Sequence, residues 1–246
     1  MTNHEIVSKA QWIEASRALL AEEKAWTRER DRLSEKRRDL PWVRVDKSYT
    51  FDSPAGPVTL AQLFEGRSQL IVYHFMFGPE WQEGCTGCSL LCDHVDGPRQ
   101  HFENNDVSFV AASRAPIEKL EAYRKRMGWT FRWVSSAKSD FNFDYDVSFP
   151  AGKRESGVFY NFEARPDPEI DELPGVSVFF KDEDGAIYHT YSSYGRGGEV
   201  LLGVYGWLDM VPKGRNETKN GSLMDWVKRH DQYEAAKSAD SCSAHR

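Results

Sequence analysis

Apolar residues run along this chain in two rhythms. From Ser8 to Asp39 there is neither glycine nor proline, and Trp12, Ile13, Leu19, Leu20, Trp26 and Leu33 form an intermittent stripe in a mixed-charge background. That spacing predicts one long helix, with Ser8 as its N-cap and Gln11 in the capping-box position. Pro41 ends it. Its charged remainder suits a solvated helix leaning one edge on a core, or an arm for dimerisation or a partner. After Pro41 the apolar runs become short. Val43 to Phe51 predicts one or two strands, Ser53-Pro54-Ala55-Gly56-Pro57 a turn, and Val58 to Phe64 a strand edge followed by one helical turn. Leu70 to Phe77 is almost wholly apolar and predicts a buried strand. A helix is expected from Cys85, broken or kinked at Gly97-Pro98.

Further on, Val107 to Ala112 predicts a strand. Pro116 opens a helix running to Arg126, which Gly128 ends. Thr130 to Val134 and Gly157 to Phe162 are strand candidates, whereas Asp140 to Phe149 has no clear period. Val176–Phe180 and Ala186–Tyr191 flank Asp184-Gly185, a hairpin signal. Val200 to Met210 and Ser222 to Ala236 read as helices. The expected organisation is a helical arm over 1–40, one domain over 41–236 and a flexible tail over 237–246. Strands alternating with helices and then a closing hairpin predict an α/β domain with a mixed sheet.

Composition narrows the classes. The chain has 246 residues, ample for a sizeable core, and its 13% aromatic content argues against disorder. A net charge of -6 argues against a general nucleic-acid surface. No run approaches the roughly 18 apolar residues of a membrane span. The start, Met1 to Ile6, has no basic region followed by an apolar stretch, so a cytoplasmic location is expected. In that setting the four cysteines are more naturally catalytic, metal-binding or free than structural disulfides.

The candidate chemistry lies in Cys85-Thr86-Gly87-Cys88, which follows the buried strand after the short loop Gly78 to Gly84. Strand, loop, Cys-x-x-Cys, helix is the context of a redox dithiol. A helix start offers unpaired N–H groups and partial positive charge, and both favour a thiolate. Cys85 is the expected nucleophile and Cys88 the resolving thiol. Glu83 beside them opposes thiolate formation. No organic cofactor is implied, because the dithiol carries the electrons. Partners would be protein or small-molecule thiols and disulfides, with a homodimer through the N-terminal helix as a further option.

Other readings compete. Cys85, Cys88 and Cys92, with His94, have ligand types that suit zinc or an iron–sulfur cluster, although they crowd one short helix. Both dithiol cysteines could equally be packed residues of an inert scaffold or a binding module. A thiol peroxidase would use Pro79 before the cysteine and Arg114 at the next strand end, but Pro-x-x-x-Thr/Ser-x-x-Cys is not met. Trp81 is either a wall of the substrate groove or a loop aromatic packed on the core. His74, mid-strand, reads as a hydrogen-bonded core histidine, and His189 as part of the hairpin's cross-strand packing. Tyr194 to Gly198 reads as a flexible glycine-rich connection in which Arg196 is a weak anion-binding candidate. Cys242 reads as a free thiol in the tail.

Cys-x-x-Cys after the first buried strand resembles the thioredoxin fold. There a proline, usually cis, precedes a strand and faces the dithiol; Pro174 in Leu173-Pro174-Gly175 is its counterpart. Thioredoxin has Thr after that proline, where Gly175 stands here. Leu40-Pro41-Trp42-Val43, Gln69 to Pro79, Ser113-Arg114-Ala115-Pro116, Arg126-Met127-Gly128-Trp129, Ser139-Asp140-Phe141-Asn142, Leu173-Pro174-Gly175 and Pro212-Lys213-Gly214-Arg215 resemble the bacterial DUF899 family. Its members are described as thioredoxin-like proteins of unknown function. The resemblance implies a thioredoxin-like mixed sheet flanked by helices, with the long N-terminal arm and extra C-terminal helices. The thioredoxin resemblance implies a substrate groove shaped by Pro174; position along the chain adds Trp81, just before the cysteines, and Arg114, at the next strand end, as groove candidates.

Overall fold

The computed structural model describes residues 4–217 and 224–234. The chain divides after Trp42 into two compact units. The first is built on α1, Lys9–Arg38, with Ser8 as N-cap. The Gln11 N–H donates to Ser8 Oγ (3.3 Å) and the Ser8 N–H to Gln11 Oε1 (3.1 Å), closing the expected capping box. No residue of α1 is buried, and Trp12, Leu19 and Trp26 keep more than half of their surface.

The second unit holds an eight-stranded mixed sheet. Its strands are β1 (Val43–Arg44), β2 (Thr50–Ser53), β3 (Gly56–Thr59), β4 (Gln69–His74), β5 (Val107–Ser113), β6 (Arg132–Ser135), β9 (Gly175–Lys181) and β10 (Ile187–Tyr194). The order across the sheet is β1-β10-β9-β4-β5-β6-β2-β3. β4, β5 and β6 are parallel to one another, and β9 runs antiparallel to β4 with β10 antiparallel to β9. The connection from β4 to β5 carries α3 (Thr86–Cys92) and α4 (Asp96–Glu103), after α2 (Leu60–Leu63). From β5 to β6 it carries α5 (Ile117–Arg126). A parallel βαβ unit with an antiparallel hairpin beside its first strand is the thioredoxin-like arrangement. Parallel neighbours require a crossover, which is why helices interrupt the chain there.

Strand alternation builds two cores on the two faces of the sheet. From β4, Ile71 and Tyr73 pack into one cluster with Phe75, Phe77, Leu91, Leu120, Trp129 and Trp133. Leu70 and Val72 pack into the other with Phe51, Phe64, Phe141 and Phe179. The register between β4 and β9 sets His74 opposite Gly175. Pro174 is thereby placed at the same sheet end as the loop leading to Cys85.

Several sequence expectations change. The helix after Cys85 does break, but at 93–95; Gly97 and Pro98 lie in the first turn of α4. A first-turn proline loses no intrahelical bond, so it starts that helix instead of ending the previous one. The aperiodic 140–149 stretch forms α6 (Phe141–Asp144), with α7 (Ala151–Arg154) following. The strand at 157–162 is half of a hairpin, β7 (Val158–Tyr160) with β8 (Glu163–Arg165), turned by Asn161 and Phe162 at positive φ. Gly195–Leu201 is a 3-10 helix, and only Gly203–Asp209 is α-helix, α8. The terminal helix is absent from 224–234, which forms turns and a short 3-10 helix at His230–Gln232. The tail and Cys242 lie outside the described residues.

Candidate active site

Cys85 is the N-cap of α3. Its N–H donates to Met76 O at 3.1 Å, tying the cysteine loop to the end of β4. The Cys88 N–H donates to Cys85 Sγ at 3.5 Å, so the sulfur occupies the position of a capping oxygen. Ser89 Oγ donates to Cys85 O (2.8 Å), and its oxygen meets the Tyr123 hydroxyl at 3.0 Å. Cys85 is half-buried, whereas Cys88 and Cys92 are buried.

The two thiols of the pair are made unlike by their surroundings. The Cys85 thiol is pulled down to about 6, chiefly by the hydrogen bond from the Cys88 side chain. The N–H groups of Cys88 and Gly87 and the charge of Arg229 add to this, and partial burial opposes it. Cys88 is pushed up, first by burial and then by the neighbouring Cys85. Its sulfur meets the Met76 N–H at 3.5 Å and the Tyr73 hydroxyl. Burial likewise holds Cys92 in its thiol form.

Glu83 does not oppose the thiolate as its position in the sequence suggests. Its carboxylate is paired with Arg126 (2.5 Å) and Arg229 (2.8 Å), and the Arg126 hydrogen bond holds it below the usual carboxylate range. Arg229 also donates to Gly84 O (2.6 Å) and to the Tyr123 hydroxyl (2.7 Å). Asp231 completes the network on Arg126 (2.6 Å). Lys119 Nζ fastens the preceding loop through Pro79 O (2.8 Å) and Trp81 O (2.9 Å). Arg229 carries no signal in the sequence, because it lies far down the chain in a stretch read as a terminal helix.

A cavity of about 300 Å³ opens in front of the dithiol. Cys85, Cys88 and Pro174 all line it. No peptide bond among the described residues is cis. A Cβ on Gly175 would come within 2.9 Å of the Tyr194 ring and 3.0 Å of Val147, which gives a steric reason for glycine after the proline. The Tyr160 hydroxyl donates to Pro174 O (2.7 Å) and accepts from the Gly195 N–H (2.8 Å). The glycine-rich stretch after β10 is therefore a cavity wall and not a loose connection, and Arg196 stands on it.

Two residues expected at the groove are elsewhere. Trp81 packs against the aromatic core beneath the cysteine loop and does not line the cavity. Arg114 pairs with buried Glu172 (2.9 Å) and lies over the Phe143 ring, also away from the cavity lining. Glu172 further accepts from Ser148 Oγ (2.5 Å), and burial raises it to about 7. His74 is on the opposite sheet face. It meets Ser177 Oγ at 2.8 Å, stacks on Phe141, and burial lowers it to about 3, so it is a neutral core histidine. His189 packs edge-on to Tyr145, as a hairpin aromatic would. Among the described residues no group of three or more His, Cys, Asp or Glu is placed to hold a metal. His94 is engaged with Leu90 O (2.7 Å) and the Val204 N–H (3.0 Å).

Sheet order, the βαβ unit and a Cys-x-x-Cys pair at the start of its helix define a thioredoxin-like protein. The chain belongs to the family described as bacterial protein of unknown function (DUF899), matched over residues 1–233. No curated protein matches it. Similar solved structures include peroxidoxin BcpB from Mycobacterium tuberculosis, at 13% identity over 67% of this chain and 94% of that one, with TM-score 0.44. Peroxiredoxin Q from Xanthomonas campestris shares 12% identity over 69% and 98%, with TM-score 0.43. The mitochondrial 2-Cys peroxiredoxin of Plasmodium falciparum shares 13% over 72% and 96%, with TM-score 0.39. No helix among the described residues is long and apolar enough to cross a membrane.

Proposed function

We propose that this protein is a thiol–disulfide oxidoreductase working through Cys85 and Cys88. One observation carries the reading: the two thiols are chemically unequal. Cys85 is half-buried, opens into a cavity and is ionised near neutral pH, while Cys88 is buried, protonated and beside it. An accessible thiolate is the attacking species in exchange, and a protected thiol next to it suits the second step.

In that sequence the Cys85 thiolate attacks one sulfur of a substrate disulfide. A mixed disulfide forms and the first substrate thiolate leaves. Cys88 then attacks Cys85 Sγ, its proton passing to the second leaving thiolate. Two electrons move from the dithiol to the substrate, and an external dithiol must restore the reduced pair. Pro174 walls the side of the cavity where the substrate disulfide would lie. A reducing compartment, the cytoplasm, suits such a cycle. A thiol peroxidase is the weaker reading, since Arg114, the cation expected for a peroxide, is spent on Glu172.

The test is a redox titration of the full chain against a dithiothreitol series, with differential alkylation read by peptide mass spectrometry. The expected result is one reversible Cys85–Cys88 disulfide with a midpoint between about -270 and -120 mV. Absence of that disulfide at every poise would sink the reading.

A further inference from the structure

The dithiol cavity has a chemical character of its own. Exchange with a folded protein needs a sulfur that a broad partner surface can reach. Here Cys85 faces a recess walled by Leu91, Val176, Leu202 and Met224. Its volume of about 300 Å³ lies at the small end of the range for small-molecule sites. Met224 approaches so closely over Gly87 that an added Cβ would stand 2.8 Å from its methyl carbon. A polarisable thioether beside the nucleophile favours apolar or aromatic groups.

Charge points the same way. Arg196 and Glu199 are the charged residues among the described residues of the lining, and they pair with each other at 2.8 Å. Arg215 adds a second contact to Glu199 at 3.5 Å. The Arg196 guanidinium is therefore already occupied and offers little to a substrate carboxylate. Among the described lining residues, a disulfide bearing several carboxylates would meet one cation, and that one already paired, in exchange for its lost hydration.

We infer that the substrate is a small uncharged organic disulfide with apolar substituents, held in the cavity in front of Cys85. This rests on the dithiol reading above. The Cys85 thiolate attacks one sulfur, an apolar thiolate leaves, and Cys88 closes the protein disulfide as the second apolar thiol departs with its proton. The substrate disulfide is reduced to two thiols, the protein dithiol is oxidised, and a reducing dithiol from outside renews it.

The experiment uses reduced full-length protein and three probes: dipropyl disulfide, glutathione disulfide and the disulfides of insulin. The rate of Cys85–Cys88 disulfide formation is read by acid quench and mass spectrometry. Each rate is divided by that of dithiothreitol with the same probe, which removes intrinsic reactivity. Burial of the apolar substituents should place the normalised dipropyl disulfide rate at least about tenfold above the other two. Equal rates, or a faster rate with glutathione disulfide or insulin, overturn the substrate inference while leaving the dithiol reading intact. Failure of all three probes to form the protein disulfide overturns the dithiol reading itself.

Gly198→Leu gives a second arm. A Cβ there meets nothing closer than Leu91 at 3.8 Å, so the side chain can enter the cavity without backbone strain. By taking up the space in front of Cys85 it should slow dipropyl disulfide at least about tenfold, and slow alkylation of Cys85 by iodoacetamide, the smaller reagent, by less. An unchanged dipropyl disulfide rate would overturn the inference. Should the variant fold poorly, wild-type protein supplies the same answer. 1,2-Diphenylethane, which carries CH₂–CH₂ where diphenyl disulfide has S–S, should protect Cys85 from iodoacetamide in a saturable way, and no protection counts against the inference.

Discussion

Arg229 Nη1 lies 2.8 Å from Glu83 Oε2, and the same guanidinium donates to Gly84 O at 2.6 Å. A residue near the end of the described chain thus holds the backbone immediately before Cys85 and neutralises the carboxylate beside it. The contact links the chemistry of the thiol to a segment that is neither strand nor long helix.

Arg229→Ala is expected to raise the pKa of Cys85, because it removes a cation and leaves Glu83 with Arg126 as its remaining partner. In the wild type, iodoacetamide alkylation of Cys85 should be half-maximal near pH 6. In the variant that midpoint should move up, toward the usual thiol value. An unshifted alkylation profile would show that the hydrogen bonds of α3 alone ionise Cys85.

Cys88→Ser should leave Cys85 able to attack and unable to be resolved. With a disulfide probe, mass spectrometry should then find a persistent mixed disulfide on Cys85, where the wild type gives the internal one. Rapid turnover by Cys88→Ser would show that Cys88 is not the resolving group.

Tyr160→Phe deletes a hydroxyl bonded to both Pro174 O and the Gly195 N–H. Leaving two partly buried backbone groups without that partner should cost about 1–3 kcal/mol in urea unfolding. The same change should loosen two walls of the cavity and slow disulfide exchange more than iodoacetamide alkylation. Equal slowing of both reactions would place the effect on Cys85 itself.

Glu172→Gln tests the buried pair with Arg114. Burial raises the folded-state pKa of Glu172 to about 7 from the usual 4.5. A raised carboxyl contributes stability that is full below the unfolded pKa and is lost as pH climbs through the folded one. The glutamine does not titrate. Between pH 4.5 and 7 the variant should therefore gain on the wild type, by up to about 3 kcal/mol. Urea midpoints at pH 5 and pH 8 read this directly. A difference between the two proteins that does not change with pH would mean Glu172 stays ionised throughout.

The elements with strong local signals are where residue patterns place them. Ser8 and Gln11 mark the start of α1 because capping is a contact three residues long. Leu70 to His74 is apolar on both faces and forms a strand covered on both. The Asp184-Gly185 turn closes β9 onto β10, with Gly185 at positive φ. The α6 helix and the β7–β8 hairpin were not legible, since a single helical turn or a three-residue strand is too short to show a period.

The same division runs through the site. Cys85 and Cys88 stand out as candidates by spacing, because the i to i+3 relation is a property of one helix turn, and Pro174 stands out through the thioredoxin resemblance; all three line the cavity. Trp81 and Arg114 lie close to the cysteines or to a strand end along the chain, yet neighbouring contacts take them elsewhere: Trp81 into the aromatic core, Arg114 onto Glu172. Arg229, Met224, Leu202 and the Gly195–Leu201 wall come from distant stretches without any motif. Local spacing encodes which atoms can react, since it acts over a few bonds. Their ionisation, their neighbours and the shape of the space before them depend on long-range packing and on charges meeting across the fold, and those arise when the sheet closes its register and the chain after β10 folds back over α3.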